Sequence, residues 1–119
     1  MKKIIFILVL LVLTIFGGLY AKRKFYDPKH RLENARTEVK KLADQDEIKN
    51  GDLIFQTSLS PQSNAIQLAT KSKYSHCGLI YKDGNNFYVF EAVQPVKRTP
   101  LDKWIARGQD GKYVIKRLK

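Results

Sequence analysis

The chain has 119 residues, 44% hydrophobic and 28% charged, an ordinary globular composition with room for one small domain. Its formal charge of +11 points to nucleic acid until it is located: Lys2, Lys3, Lys22, Arg23 and Lys24 carry five of the charges around an apolar segment, leaving +6 on residues 25–119. Those remaining basic residues are scattered, with no aromatic platform beside them, which counts against nucleic acid as a partner and favours a basic solvated surface or attraction to anionic headgroups.

Ile4 to Ala21 is a run of eighteen uncharged residues. As a helix it would be about 27 Å long, enough to cross the core of a bilayer. A cleaved signal segment is the rival, but cutting after Ala21 leaves Leu19, and cutting after Gly18 leaves Phe16, where a small residue is wanted. Residues 1–24 are therefore expected to form a single-pass membrane anchor, with a signal segment as the alternative. Orientation stays open, because the basic residues after the span place the domain in the cytoplasm while the short charged start resembles an export signal.

Asp27 as N-cap and Pro28 at the first helical position open a helix with Leu32, Ala35, Val39, Leu42 and Ala43 at three- and four-residue steps. Residues 25–50 read as a helical stalk or linker, lying on the domain or on the membrane. The turn signal Lys49-Asn50-Gly51 then marks the start of the folded domain, 51–119. Asp52 to Thr57 has strand character. Ser60-Pro61 opens a helix through about Thr70, with Ala65, Ile66, Leu68 and Ala69 on its buried side. Ser75–Lys82 and Phe87–Ala92 flank Asp83-Gly84-Asn85-Asn86, the strongest hairpin signal in the chain. Thr99-Pro100 starts a helix carrying Leu101, Trp104 and Ile105 and ending at Gly108, and Tyr113–Ile115 forms a last strand. The order is α+β. Trp104 is expected to anchor its helix in the core.

Side chains alternate along a strand, so His76, Gly78 and Ile80 share one face of the hairpin, and Phe87, Val89 and Glu91 share a face of the return strand. A turn at Asp83-Gly84 sets His76 directly opposite Glu91. A turn at Gly84-Asn85 sets it opposite Val93, with Glu91 its diagonal neighbour. Both registers bring imidazole and carboxylate together, the arrangement a general base needs, although an ordinary cross-strand polar pair has the same pattern. Cys77 is the only thiol. It leaves the strand on the face opposite His76, and is expected to pack in the core as a small apolar residue. With one cysteine and only His30 and His76 as histidines, no disulfide, metal site or cofactor is expected.

Five blocks in order carry a resemblance: Gly51 to Ser58, Gln62 to Gln67, Tyr74 to Tyr81, Tyr88 to Lys97 and Leu101 to Arg107. Together they resemble the opening motifs of the YiiX family of permuted NlpC-type, papain-like cysteine hydrolases, over residues 51–119. The resemblance implies a partial papain-like domain with a small antiparallel sheet and flanking helices. It also implies that His76 is the catalytic base, that Glu91 orients it, and that the activity is amide or ester hydrolysis on cell-wall peptides or lipids through a thioester. The family's nucleophilic cysteine lies downstream, at the start of a helix, beyond the blocks present here. Position 77 usually holds a larger apolar residue. The expectation is thus a membrane-anchored hydrolase domain lacking that nucleophile, inactive alone, or a non-catalytic remnant that binds a peptide or lipid in the old cleft.

Overall fold

The computed structural model describes residues 1–21, 27–93 and 95–119. These form two compact units, Met1–Arg31 and Leu32–Lys119. In the first, α1 (Lys2–Ala21) is an uninterrupted helix with no buried residue. Its twenty residues span about 30 Å. Among the described residues it is the one helix long and apolar enough to cross a membrane, a property that a signal segment shares.

The second unit is a mixed helix and sheet domain. Helix α2 (Asp27–Asp44) leads into it, followed by β1 (Leu53–Gln56), α3 (Ser63–Thr70), β2 (His76–Asp83), β3 (Asn86–Glu91), β4 (Lys97–Pro100), α4 (Leu101–Arg107) and β5 (Val114–Lys116). The five strands form one antiparallel sheet in the order β4-β3-β2-β1-β5. The β2–β3 turn is Gly84-Asn85, since Asp83 pairs with Asn86 and Ile80 with Val89. Gly84 takes a positive φ of 60°, which a glycine adopts without steric cost.

Alternation along the strands sends Ile54, Ile80 and Val89 to one face, where Leu101, Trp104 and Ile105 of α4 cover them. Ala35 and Leu42 of α2, with Ile48 after it, join the same core. The helix read as a stalk or linker thus lies on the domain from Leu32 onward, one of the two placements expected of it. Glu38 of α2 accepts a hydrogen bond from Tyr113 at 2.9 Å, and Arg36 reaches Asp102 at 3.2 Å. Burial pushes the Tyr113 hydroxyl pKa up, and the Glu38 carboxylate adds to it. At the far edge Asp52, almost fully buried, takes both arms of the Arg117 guanidinium at 2.7 Å and the Lys49 amide at 2.8 Å. That fork holds its carboxyl below the usual range against the effect of burial.

The other face of the sheet is open. Leu79 and Phe90 are 42% and 39% exposed, and Cys77 is exposed as well. The core position expected for Cys77 is thus wrong: parity puts it on the face opposite the core, where the described residues supply no covering layer. Helix α3 departs from expectation in the same way. Ser63 is its single buried residue, while Ala65, Ile66, Leu68 and Ala69 are all exposed. It also starts three residues late, after a turn closed by the Ser63 amide on the Ser60 carbonyl. Thr99-Pro100, read as the start of a helix, instead closes the edge strand β4, whose backbone finds partners along β3, and the helix begins at Leu101.

Candidate active site

The approach to His76 is pinned before the strand begins. The Ser75 amide donates to the Gln56 carbonyl at 3.1 Å, and the Ser63 hydroxyl reaches the Ser75 hydroxyl at 2.6 Å. Thr57 and Gln67 both donate to the Lys73 carbonyl, at 2.7 and 2.5 Å. The polar residues of α3, not its apolar ones, are what tie this helix down. They fix where β2 starts, and so where the first side chain of β2 points.

That side chain is His76. Its Nε2 lies 3.2 Å from Oε1 of Glu91, and its ring stacks on Trp104 with centroids 5.7 Å apart and planes 27° apart. The register places Glu91 diagonal to His76, the second of the two arrangements that parity allowed. Trp104 is fully buried, as expected of a helix anchor, and it also walls the imidazole. Glu91 has no side-chain exposure, while His76 keeps 21%. A buried carboxylate with a partly open imidazole commits Nε2 to the interior and leaves Nδ1 as the nitrogen free to exchange a proton.

Two further groups hold Glu91, and neither was visible as a site residue in the sequence. Thr99 of β4 donates its hydroxyl to Oε2 at 2.5 Å, and Arg107 at the end of α4 donates to Oε1 at 2.5 Å. Burial works against the charged carboxylate. The hydrogen bonds from Thr99, Arg107 and His76, with the Arg107 charge, outweigh it and hold the carboxyl below its ordinary range. Across from His76 in the β1–β2 register sits Gln56, buried, whose Oε1 has no hydrogen-bond partner among the described residues; the same is true of Trp104 Nε1. A short-range motif search could not have found Thr99 or Arg107, since only the β3–β4 pairing and the packing of α4 bring them to Glu91.

His76 opens on a groove of about 390 Å³, whose other walls include Phe55, Ile66, Tyr74, Cys77 and Ala92. A larger groove of about 490 Å³ lies between α2 and the β2–β3 hairpin. Its charged residues are paired with one another, Arg36 with Asp102 and Lys40 with Asp44, and it contains neither member of the His–Glu pair.

A partly exposed histidine held by a buried carboxylate, on an antiparallel sheet backed by a tryptophan-anchored helix, fits a papain-like architecture. Residues 47–119 match the permuted papain-like amidase family YaeF/YiiX, C92 family, and the chain belongs to that family. It is 59% identical over 68 residues to the uncharacterized protein YiiX of Escherichia coli strain K12, covering 57% of this chain and 34% of that one. The crystal structure of the metalloprotein yiiX from Escherichia coli O157:H7 superposes with a TM-score of 0.55 at 60% identity, over 56% of this chain and 37% of that one. The chain thus spans about a third of the length of these relatives. That structure is described as a metalloprotein; among the described residues of this chain no group of three or more His, Cys, Asp or Glu side chains comes together, and Arg107 already occupies the carboxylate beside His76.

Proposed function

We propose that this chain supplies the general-base half of a cysteine-dependent amide or ester hydrolase, tethered to a membrane by α1. The observation that carries this reading is the contact of His76 Nε2 with Glu91 Oε1 on the buried side of the hairpin, with the imidazole facing a groove. Glu91 fixes the tautomer, so Nδ1 takes the proton of a thiol. The sulfur then attacks the carbonyl carbon, and the C–N or C–O bond breaks. The imidazolium returns its proton to the departing amine or alcohol. Water attacks the resulting thioester, again passing a proton to Nδ1, and the thiol is restored. Cys77 does not serve as that thiol, because it leaves β2 on the other face; the sulfur comes from polypeptide beyond these 119 residues. Without it, the base and carboxylate can at best activate water.

The test supplies the portion of the E. coli YiiX relative that this chain does not match, in trans or as a fusion, and follows hydrolysis of peptide amides and acyl esters. Turnover is expected only with both parts present. His76→Ala should lower it by about 10²–10⁴-fold, the usual contribution of a general base. Turnover that survives His76→Ala, or none with any substrate when both parts form a folded complex, refutes the reading.

A further inference from the structure

His76 has a neighbour on each side along the end of the sheet. Gln56 of β1 is its cross-strand partner, and Glu91 of β3 is its diagonal neighbour; all three point to the core face. Each meets one residue of α4 or the residue that ends it. Arg107 bonds to Glu91, the Trp104 ring stacks on His76, and a Cβ on Gly108 would collide with the Gln56 carboxamide. The general-base reading accounts for Glu91 and its donors but gives Gln56 no part. Gln56 is 1% exposed, and its Oε1 has no hydrogen-bond partner among the described residues. The other buried polar side-chain atom in that position is Nε1 of Trp104. One is an acceptor and the other a donor. Trp104 lies one helical turn before Gly108, so the indole and the carboxamide seated against Gly108 are neighbours. Each group left unpaired in the interior carries the full cost of its desolvation, and one link between them removes both.

We propose that Gln56 is a positioning residue for His76: its carboxamide oxygen takes the Trp104 indole proton, directly or through one shared water, and so fixes the plane of the ring on which the imidazole stacks. With the indole fixed, the imidazole is held between Trp104 and Glu91, and its proton stays on Nε2. With the indole free to tilt, the imidazole leaves Oε1 and the Nδ1–H tautomer becomes populated. The inference rests on the general-base reading for its consequence in turnover, whereas the link and the tautomer are properties of this chain by itself.

The chain holds one tryptophan and two histidines, so the full chain in detergent micelles, with nitrogen-15 in both residue types, gives a single indole signal and an imidazole set that His76→Ala assigns by difference. Gln56→Met keeps the length of the side chain and loses the amide. Trp104→Phe keeps a ring face and loses the N–H. Gly108→Ala keeps both polar partners, while its Cβ displaces the carboxamide. The indole proton resonance should move upfield in Gln56→Met and in Gly108→Ala. In all three variants the Nδ1–H form of His76 should rise about tenfold relative to Nε2–H, the order that losing one buried hydrogen bond implies. The double variant Gln56→Met, Trp104→Phe should be no worse than either single one, because the link is already cut. In the two-part assay kcat should fall about tenfold with KM unchanged, since the base is misplaced and substrate contacts are kept. Circular dichroism checks folding, and Gly108→Ala decides the matter where Gln56→Met does not fold. An indole resonance indifferent to Gln56→Met and Gly108→Ala, additive effects in the double variant, or an unchanged His76 tautomer overturns the proposal. A tautomer that follows Gln56 with no turnover in the two-part assay sinks the hydrolase reading alone. His76-dependent turnover with a tautomer indifferent to Gln56 and Trp104 sinks this inference alone.

Discussion

His76 and Cys77 are adjacent in the chain and stand on opposite faces of the sheet: the imidazole turns inward to Glu91 and Trp104, and the thiol turns out beside Phe55, its partner across β1. Proximity in sequence here guarantees separation in space, because a strand alternates its side chains. A thiol serving as nucleophile needs the base within hydrogen-bond reach, and this pair cannot provide that without breaking the β2 ladder.

Iodoacetamide labelling of Cys77 should therefore proceed at the same rate, within about twofold, in wild type and His76→Ala, since reactivity follows the thiolate fraction and no imidazole adjusts it. Hydrolysis of peptide or ester substrates by the chain should show no dependence on Cys77→Ala. Labelling that collapses in His76→Ala, together with turnover lost in both variants, would make this a complete small cysteine hydrolase.

Gly78, next along β2, leaves no room for a side chain. A Cβ there would overlap the Val89 side chain and come within 3.0 Å of the Phe90 carbonyl oxygen. Gly78→Ala should destabilise the domain by about 1–3 kcal/mol by overpacking, read from the urea midpoint. Combining it with Val89→Ala should recover part of the loss. A destabilisation unchanged by the second substitution would place the strain at the backbone instead.

Glu91 and Asp52 both have carboxyl pKa values held below the ordinary range, Glu91 by Thr99, Arg107 and His76 against burial, and Asp52 chiefly by Arg117. Each binds protons more weakly folded than unfolded. The stability they contribute is complete above the unfolded value near 4 and is lost as pH falls through the folded values. Urea midpoints should be flat near neutrality and drop from about pH 5 downward. Glu91→Gln and Asp52→Asn should each flatten that acid limb while lowering stability at pH 7. A limb of unchanged slope in both variants would assign acid unfolding to other groups.

Arg117 stands half exposed, yet it is the partner of a carboxylate with almost no exposure. Arg117→Ala should cost about 1–3 kcal/mol, the penalty of leaving Asp52 with the Lys49 amide as its remaining donor. Lys at 117 should restore only part, since one ammonium cannot reproduce the two-armed contact. The paired substitution Asp52→Asn, Arg117→Ala should be less harmful than the sum of the two.

The full chain should sediment with membranes and resist alkaline carbonate extraction, because α1 is long and apolar enough to span. N-terminal sequencing that finds a soluble form beginning near residue 22 would assign α1 to an export signal.

The hairpin and its His–Glu pair were legible in the sequence because parity survives an error in register: with the turn at either Asp83-Gly84 or Gly84-Asn85, residues 76 and 91 fall on one face. Trp104 was legible as an anchor because aromatic residues at helical spacing seek a core. Thr99 and Arg107 were not, since nothing local distinguishes them; their role exists only once β4 docks on β3 and α4 packs across the sheet. The apolar run of α3 misled for the converse reason. Its pattern announces burial, and the described residues hold nothing that covers Ile66 or Leu68. Cys77 failed with it, on the same uncovered side.

The strand order gives the two ends of the His–Glu system different lifetimes. β2 lies in the centre of the sheet, hydrogen-bonded on both flanks, whereas β4, which carries Thr99, is a four-residue edge. Edge strands open by local fluctuation, while central ones exchange their amide protons only when the whole domain opens. Opening of β4 would withdraw one donor from Glu91, whereas His76 is held through its pairing with Gln56 of β1.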